Sequence, residues 1–463
     1  MTTDLALAPL GHLKGAVAER AVSSRELVEL FLRRVDVVNP AINAVVTLNA
    51  EQALRAAERA DELTSRGHSS GPLHGLPFTV KDAIATGGVR STGGAVELAS
   101  HVPAADAPAV ARLRAAGAIL LGKTNLPRWS GDIETFNPIF GTTNNPWDLS
   151  RIPGGSSGGS AAAVCAGLTS FDVGTDIAGS VRIPSHFCGV FGLKPTYGLV
   201  PQRGYLDHVG AGATDTDINV VGPIARHASD LDLLLSVLAG PSPDDEVAWE
   251  VELPRRRSNT FRIAVWFDEP TCSIDADYRS VLDGAAASLA AAGHEVDEAR
   301  PPVSFEEQTA LFWALVGAAA ARSYPEETAT ALAGGHLEWL RNQSKRAALQ
   351  RTWREWFEGY DVLLCPVSPT AALLHKQDPK LFVLRTMTVN GESRSYYDNV
   401  LWTGLTGVVG LPSAVAPVGS IDGLPVGVQV VAPWWHDREA VRAAGIVGDL
   451  TRGYVAPPIA RTA

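Results

Sequence analysis

Cysteine and methionine are scarce in this 463-residue chain, which has four of the first and two of the second. Cys165, Cys188, Cys272 and Cys365 stand far apart and form no C-x-x-C pair, so neither a zinc site nor a disulfide framework is signalled. They read as reduced core thiols. An excess of positive charge is also missing. The formal net charge is -11, and no cluster of Lys and Arg is interleaved with aromatics, which removes the electrostatic basis for gripping a phosphate backbone. Arg255-Arg256-Arg257 is too short a run to change this and reads as a solvated loop. Long unbroken apolar runs are lacking too. Asn399 to Ile421 carries no charge, but Gly404, Gly407, Gly410, Pro412, Pro417 and Gly419 interrupt it. It reads as buried core with turns, not as a membrane span. The start, Met1-Thr2-Thr3-Asp4, has no basic stretch leading into an apolar one, so no secretory signal is read and the cytoplasm is the expected location.

What is present suits a large folded core. Apolar residues make up 46% and charged residues 19%, which sets disorder aside. Ser23-Ser24-Arg25-Glu26 has the form of a capping box opening a helix through Leu27, Leu30, Phe31 and Val35, with Pro40 beyond its end. A second helix is expected from Ala50 to Leu63. Leu76, Phe78 and Val80 alternate with Pro77, Thr79 and Lys81, as a short strand would, placing Lys81 at a strand end. Helix Ala107–Ala116 and strand Ala118–Leu121 follow. Strand Phe261–Trp266, helix Tyr278–Ala292 and strand His294–Val296 repeat that order, before helices around Thr309–Arg322 and Ala347–Phe357 and a strand at Val362–Leu364. The pattern predicts an α/β fold in which helices cover a sheet. Pro241 to Ser258 is the best linker candidate, yet one continuous domain over residues 1–463 is favoured, with a core at residues 71–200.

Two familiar patterns fail in context. Gly117 to Thr124 matches the phosphate loop G-x-x-x-x-G-K-[ST], but its middle is strand-like and Asn125-Leu126-Pro127 stands where a helix should begin. Gly154-Gly155-Ser156-Ser157-Gly158 matches the G-x-S-x-G elbow of an α/β-hydrolase-like esterase, but Trp147 to Pro153 is polar and ends in proline instead of forming a buried strand. A Gly-Ser linker does not fit either, because Ala161 to Ala166 follows at once as a buried helix. The loop is expected to be rigid.

Two serines in glycine-bounded turns and a strand-end lysine resemble the amidase signature family. The match runs through Gly75-Leu76-Pro77-Phe78-Thr79-Val80-Lys81-Asp82, Gly122-Lys123-Thr124-Asn125 and Phe140-Gly141 with Asn144-Asn145-Pro146. It continues through Pro153 to Ser160, Gly174-Thr175-Asp176, Gly179 to Pro184, Gly192-Leu193-Lys194-Pro195-Thr196 and Gly423 to Gln429. The resemblance implies a mixed, mostly parallel central sheet sandwiched between helical layers. It also implies a catalytic set of Ser180 as nucleophile, Ser156 after a cis peptide bond, and Lys81 as base. No cofactor and no metal are implied.

Chemistry fits those roles. A serine hydroxyl is a poor nucleophile until a neighbouring base takes its proton, and a lysine can be that base only when burial keeps it neutral. Asp82 would spoil this if it faced the amine, but strand alternation points it away. Ser156 would pass the proton to and from Ser180, then to a leaving nitrogen that departs badly unprotonated. Backbone N–H groups of Ile177, Ala178, Gly179 and Ser180 would receive the oxyanion, each strong donor being worth about 3 to 4 kcal/mol. Family members commonly carry glycine where Ala178 stands. Asp176 and Arg182 are expected to brace the nucleophile turn, and Ser157 and Ser160 to bond the loop and cap the next helix. His186 and Cys188 read as core residues, not as a Cys-His pair.

The resemblance implies C–N bond hydrolysis of small amides, aryl amides or carbamates (urethanes), or else the glutaminase-type component of an amidotransferase complex. Members of that last branch usually carry Ser-Ser-Leu-Asp-Gln before Gly-Pro, where this chain reads Thr216-Asp217-Ile218-Asn219 ahead of Gly222-Pro223. A stand-alone amidase is favoured. Trp129 and Ile133 are candidate substrate-binding residues, and Leu311, Phe312, Trp313, Tyr396 and Trp402 offer further apolar surface. With no Arg or Lys standing out as a carboxylate clamp, the expected partner is a neutral small molecule, with no nucleic acid or membrane.

Overall fold

The computed structural model describes residues 2–254, 260–377 and 384–461. Arg255, Arg256, Arg257 and Ser258 lie outside the described residues, and the rest of the linker candidate, residues 241–254, holds no helix or strand.

Ser23 caps the helix Ser24–Ile42 with the full box: its hydroxyl accepts from the Glu26 N–H while the Glu26 carboxylate accepts from the Ser23 N–H. Pro40, expected past this helix, sits inside its last turn. Only one backbone bond is lost so near the end, and Asn43, in the left-handed region at φ 50°, closes the helix by donating its N–H to the Asn39 carbonyl at 2.7 Å.

In chain order the first strands are β1 (Val45–Leu48), β2 (Pro77–Lys81), β3 (Ile119–Thr124), β4 (Phe136–Asn137), β5 (Gly141–Thr142), β6 (Asp172–Asp176), β7 (Phe191–Lys194) and β8 (Val220–Ala225). Then come β9 (Arg262–Val265), β10 (Glu295–Glu298), β11 (Val362–Pro366), β12 (Thr386–Val389), β13 (Glu392–Ser395), β14 (Ser413–Ile421) and β15 (Leu424–Val431). Eleven of them form one mixed sheet in the order β1-β3-β2-β6-β8-β7-β14-β15-β11-β9-β10. Its parallel pairs make two blocks, β3-β2-β6 and β11-β9-β10, joined by antiparallel neighbours. Hairpins β4-β5 and β12-β13 stand apart.

Every residue of β2, β6, β8, β11 and β15 is buried, so both faces of the central sheet are covered. The alternation along β2 therefore does not mark a solvent face. Its polar members, Thr79 and Lys81, point into a second buried layer. The segment matching a phosphate loop is largely β3, which buries Lys123 within the sheet. No sheet strand leads into Ser156, so a hydrolase elbow is not built. The apolar stretch near the C-terminus divides into a helix, Leu401–Gly407, and β14. Among the described residues no helix is long and apolar enough to cross a membrane.

Candidate active site

Lys81 closes β2 and has no exposed surface. Its Nζ donates to Ser156 Oγ at 2.6 Å and to Thr175 Oγ1 at 2.8 Å. Burial pulls its pKa from 10.5 down to about 7, against the opposing pull of the Asp176 and Asp172 carboxylates. Asp82 turns away, as alternation requires: its carboxylate accepts from the Thr92 N–H at 2.9 Å and from the Thr92 hydroxyl. The amine thus meets hydroxyls, not a carboxylate.

Ser156 follows a cis peptide bond, Gly155-Ser156. Its loop is glycine-rich because neighbouring backbone presses on it. A Cβ on Gly155 would lie 2.8 Å from the Asp132 carbonyl oxygen, and one on Gly159 would lie 2.8 Å from the Asn125 Cα. This is a packed loop, not a linker. The helix Gly158–Cys165 follows directly and is buried throughout.

Ser157 occupies the cap position of that helix, but its hydroxyl does not cap it. It donates to the Thr175 carbonyl at 3.2 Å, tying the loop to β6, while the Asn125 carbonyl receives the Gly159 N–H at 3.2 Å. Ser160 likewise bonds Thr124 Oγ1 at 2.9 Å instead of capping. A backbone carbonyl has taken the role expected of a hydroxyl.

Ser180 stands partly exposed in the turn after β6, and its carbonyl accepts the Ser157 N–H at 3.1 Å, which joins the two serine loops. Asp176 organises the turn as expected. Its carboxylate accepts from the Gly179 N–H at 2.8 Å and the Val181 N–H at 3.1 Å, and pairs with Arg182 at 2.8 and 3.0 Å. Burial would raise the Asp176 pKa, but the charge and hydrogen bond of Arg182, with Lys194 and the Val181 N–H, together hold the group at about 2. Arg182 also reaches the Thr403 carbonyl, Thr406 Oγ1 and Gln429 Oε1 at 2.8, 2.9 and 2.6 Å. The turn is therefore anchored to the helix Leu401–Gly407 and to β15.

One expected oxyanion donor needs correction. The Gly179 N–H is given to Asp176, because φ 112° at this glycine folds the turn back over the carboxylate. Ile177, Ala178 and Ser180 keep N–H groups without a hydrogen bond among the described residues. Thr403 Oγ1 fixes the turn from outside by donating to the Ala178 carbonyl at 2.8 Å.

The substrate-binding candidates separate. Ile133 backs the cis peptide, its Cα 3.0 Å from where a Gly155 Cβ would sit. Trp129 is packed on Gly93 and covered by the Arg128 guanidinium, 5.5 Å from its ring, with only 7% of its surface exposed. Phe312, Tyr396 and Trp402 are buried, Trp402 within a cluster with Trp266 and Phe305. His186 and Cys188 do not pair: His186 bonds the backbone of Gly427 and Thr370, and Cys188 donates to the Pro153 carbonyl at 3.4 Å. Burial lowers His186 to about 4. Among the described residues no three His, Cys, Asp or Glu side chains are grouped as metal ligands.

A family model for Amidase matches residues 26–334 and 325–441. The chain belongs to the amidase signature family. Similar curated proteins include a glutamyl-tRNA(Gln) amidotransferase subunit of Prochlorococcus marinus (strain MIT 9303), 34% identical, with 91% of this chain and 93% of that protein covered. Its counterpart from Moorella thermoacetica is 32% identical, with 94% of each covered. Among solved structures, 6-aminohexanoate cyclic dimer hydrolase superposes with a TM-score of 0.81 at 28% identity, covering 98% of this chain and 99% of that one. A bacterial aryl acylamidase of the amidase signature family superposes at 0.84 with 24% identity and 96% of each chain covered, a likeness of fold.

Two features of this amidase signature site were not expected from the sequence. Thr175 is the second hydroxyl on the Lys81 amine, and its place within Gly174-Thr175-Asp176, one of the matching motifs, was the available signal. The ion pairs of Arg385 with Asp132 and Glu134 had none, since 253 and 251 residues separate the partners.

Proposed function

We propose that this chain hydrolyses the C–N bond of small neutral amides, aryl amides and carbamates among them, through an acyl-enzyme on Ser180. The observation that carries this reading is the buried Lys81 amine hydrogen-bonded to the hydroxyls of Ser156 and Thr175, with a pKa near 7. Its neutral form takes the Ser156 proton as Ser156 takes that of Ser180, and Ser180 Oγ attacks the carbonyl carbon. The N–H groups of Ile177 and Ala178 receive the oxyanion. The proton then returns through Ser156 to the leaving nitrogen, the C–N bond breaks, and water releases the acyl group by the reverse relay.

The similarity to amidotransferase subunits favours a second reading, a glutaminase working within a complex. Against it, this chain reads Thr216-Asp217-Ile218-Asn219 ahead of Gly222-Pro223, where members of that branch usually carry Ser-Ser-Leu-Asp-Gln. We therefore favour a stand-alone cytoplasmic enzyme. Incubating the protein with an anilide, a primary amide, an aryl carbamate, an ester and L-glutamine separates the two. Turnover of the neutral amides or the carbamate, lost in Ser180→Ala and Lys81→Ala, is expected. Turnover of L-glutamine alone would replace this reading with the second one.

A further inference from the structure

The loop carrying Ser156 is held between two segments distant in sequence. On one side, residues 132–135 press on it: the Asp132 carbonyl and Ile133 occupy the space where a Gly155 Cβ would be, and Thr135 Oγ1 donates to the Gly154 carbonyl at 2.9 Å. On the other, residues 372–375 run beside 150–152, with the Ile152 N–H donated to the Leu373 carbonyl at 2.8 Å and Arg151 Nη1 to the Ala372 carbonyl at 2.6 Å.

Charge fastens these jaws together. Arg385, just before β12 and only 3% exposed in its side chain, donates to the carboxylates of Asp132 and Glu134, the latter at 3.1 Å. Glu134 also accepts from His375 Nδ1 at 3.0 Å and from the Lys376 N–H at 3.2 Å. Asp132 accepts the Tyr396 hydroxyl at 3.0 Å, and the Arg385 guanidinium lies 4.5 Å over that tyrosine ring. Side chains this buried and this interlinked fix backbone position, and loss of one partner leaves a bare charge inside the protein. The atoms they fix are those that touch Gly155.

We propose that Arg385 is a positioning residue for catalysis, holding residues 132–135 against the Gly155-Ser156 peptide so that the Ser156 hydroxyl stays in line between Lys81 and the leaving nitrogen. This rests on the function proposed above. A merely structural ion pair would weaken all activities together. A positioning role falls most heavily on the step that needs Ser156 to deliver a proton, which is departure of an amine and not of an activated phenol.

Arg385→Met, Arg385→Lys and Glu134→Gln are compared with wild type on a matched anilide and activated aryl ester, alongside thermal melting. The expected result is an anilide kcat lowered at least about tenfold more than the ester kcat in Arg385→Met, with KM little changed and partial recovery in Arg385→Lys. Equal losses on both substrates, or none, would overturn the proposal. If Arg385→Met does not fold, the nearly isosteric Glu134→Gln carries the same comparison. If wild type cleaves neither compound, the aryl-amide part of the proposed function fails and Ser180 labelling takes over the test. Because Ser156 also takes the Ser180 proton during attack, labelling of Ser180 by a fluorophosphonate, read by intact mass, then tests positioning: slower labelling in Arg385→Lys and Glu134→Gln at an unchanged melting temperature supports it, and unchanged labelling overturns it.

Discussion

The surroundings of Lys81 and Lys123 make an instructive pair. Both lysines are wholly buried on neighbouring strands, and the register that sets Val80 opposite Lys123 and Lys81 opposite Thr124 sends them to opposite faces of the sheet. Lys123 donates to the Ile84 carbonyl and to Thr86 Oγ1, the latter at 2.6 Å, with the Asp82 carboxylate close by. Burial lowers it to about 8, and the same burial raises Asp82 to about 6. Lys81 has two hydroxyls instead and falls to about 7. Desolvation alone therefore does not make a base. What distinguishes Lys81 is its bond to the Ser156 hydroxyl, the group that the proposed function uses to relay a proton from Ser180, whereas Lys123 pins the turn that follows β2.

The sharpest way to break the comparison is substitution. Ser180→Ala should lower amide turnover on the order of 10,000-fold or more, and Lys81→Met about 100- to 10,000-fold. Lys123→Met should leave turnover per folded molecule within about tenfold of wild type while costing about 1 to 3 kcal/mol in urea unfolding, because the buried Ile84 carbonyl and Thr86 hydroxyl lose their donor. Equal catalytic losses in the two lysine variants would erase the distinction. Ser156→Ala comes next, with an expected loss of about 100-fold on an anilide and a smaller one on an activated ester, measured side by side.

pH provides a finer cut. If neutral Lys81 is the base, kcat/KM climbs as pH rises through about 7 and levels off above it. The stability effect has a defined sign. Lys81 holds its proton to about 7 when folded and to 10.5 ordinarily, so the unfolded chain binds the extra proton between those values and stability from this group increases with pH across that window. Lys81→Met should therefore melt higher than wild type, by most below pH 7 and by progressively less toward pH 10.5. The smallest expected change is in Thr175→Val. Removing a hydroxyl that accepts from the Lys81 amine takes away about 0.5 to 1.5 kcal/mol of support for its charged form, moving the kcat/KM inflection down by about one unit at most.

Much of the site was legible because chemistry and spacing coincide in short motifs. Lys81 at a strand end, Ser156 in a glycine-packed loop and Asp176 bracing the Ser180 turn are each local features, and the helix opened by Ser23 carries its capping box in four consecutive residues. Features that depend on two distant segments were not legible. Nothing beside Gly179 tells that its N–H belongs to Asp176, since that follows from the backbone fold of the turn. Arg385 reads as an ordinary surface residue until the fold buries it against Asp132 and Glu134. Pro40 shows the same limit at a helix end, where tertiary packing carries the helix past a residue that usually stops one.

Labelling of Ser180 by a fluorophosphonate as a function of pH, in wild type, Lys81→Met and Lys123→Met, tests the assignment of the base most directly. The expected result is a rate that rises through about pH 7 in wild type and in Lys123→Met, and a slow, flat rate in Lys81→Met. A profile that keeps its inflection in Lys81→Met, or loses it in Lys123→Met, would contradict Lys81 as the base that activates Ser180.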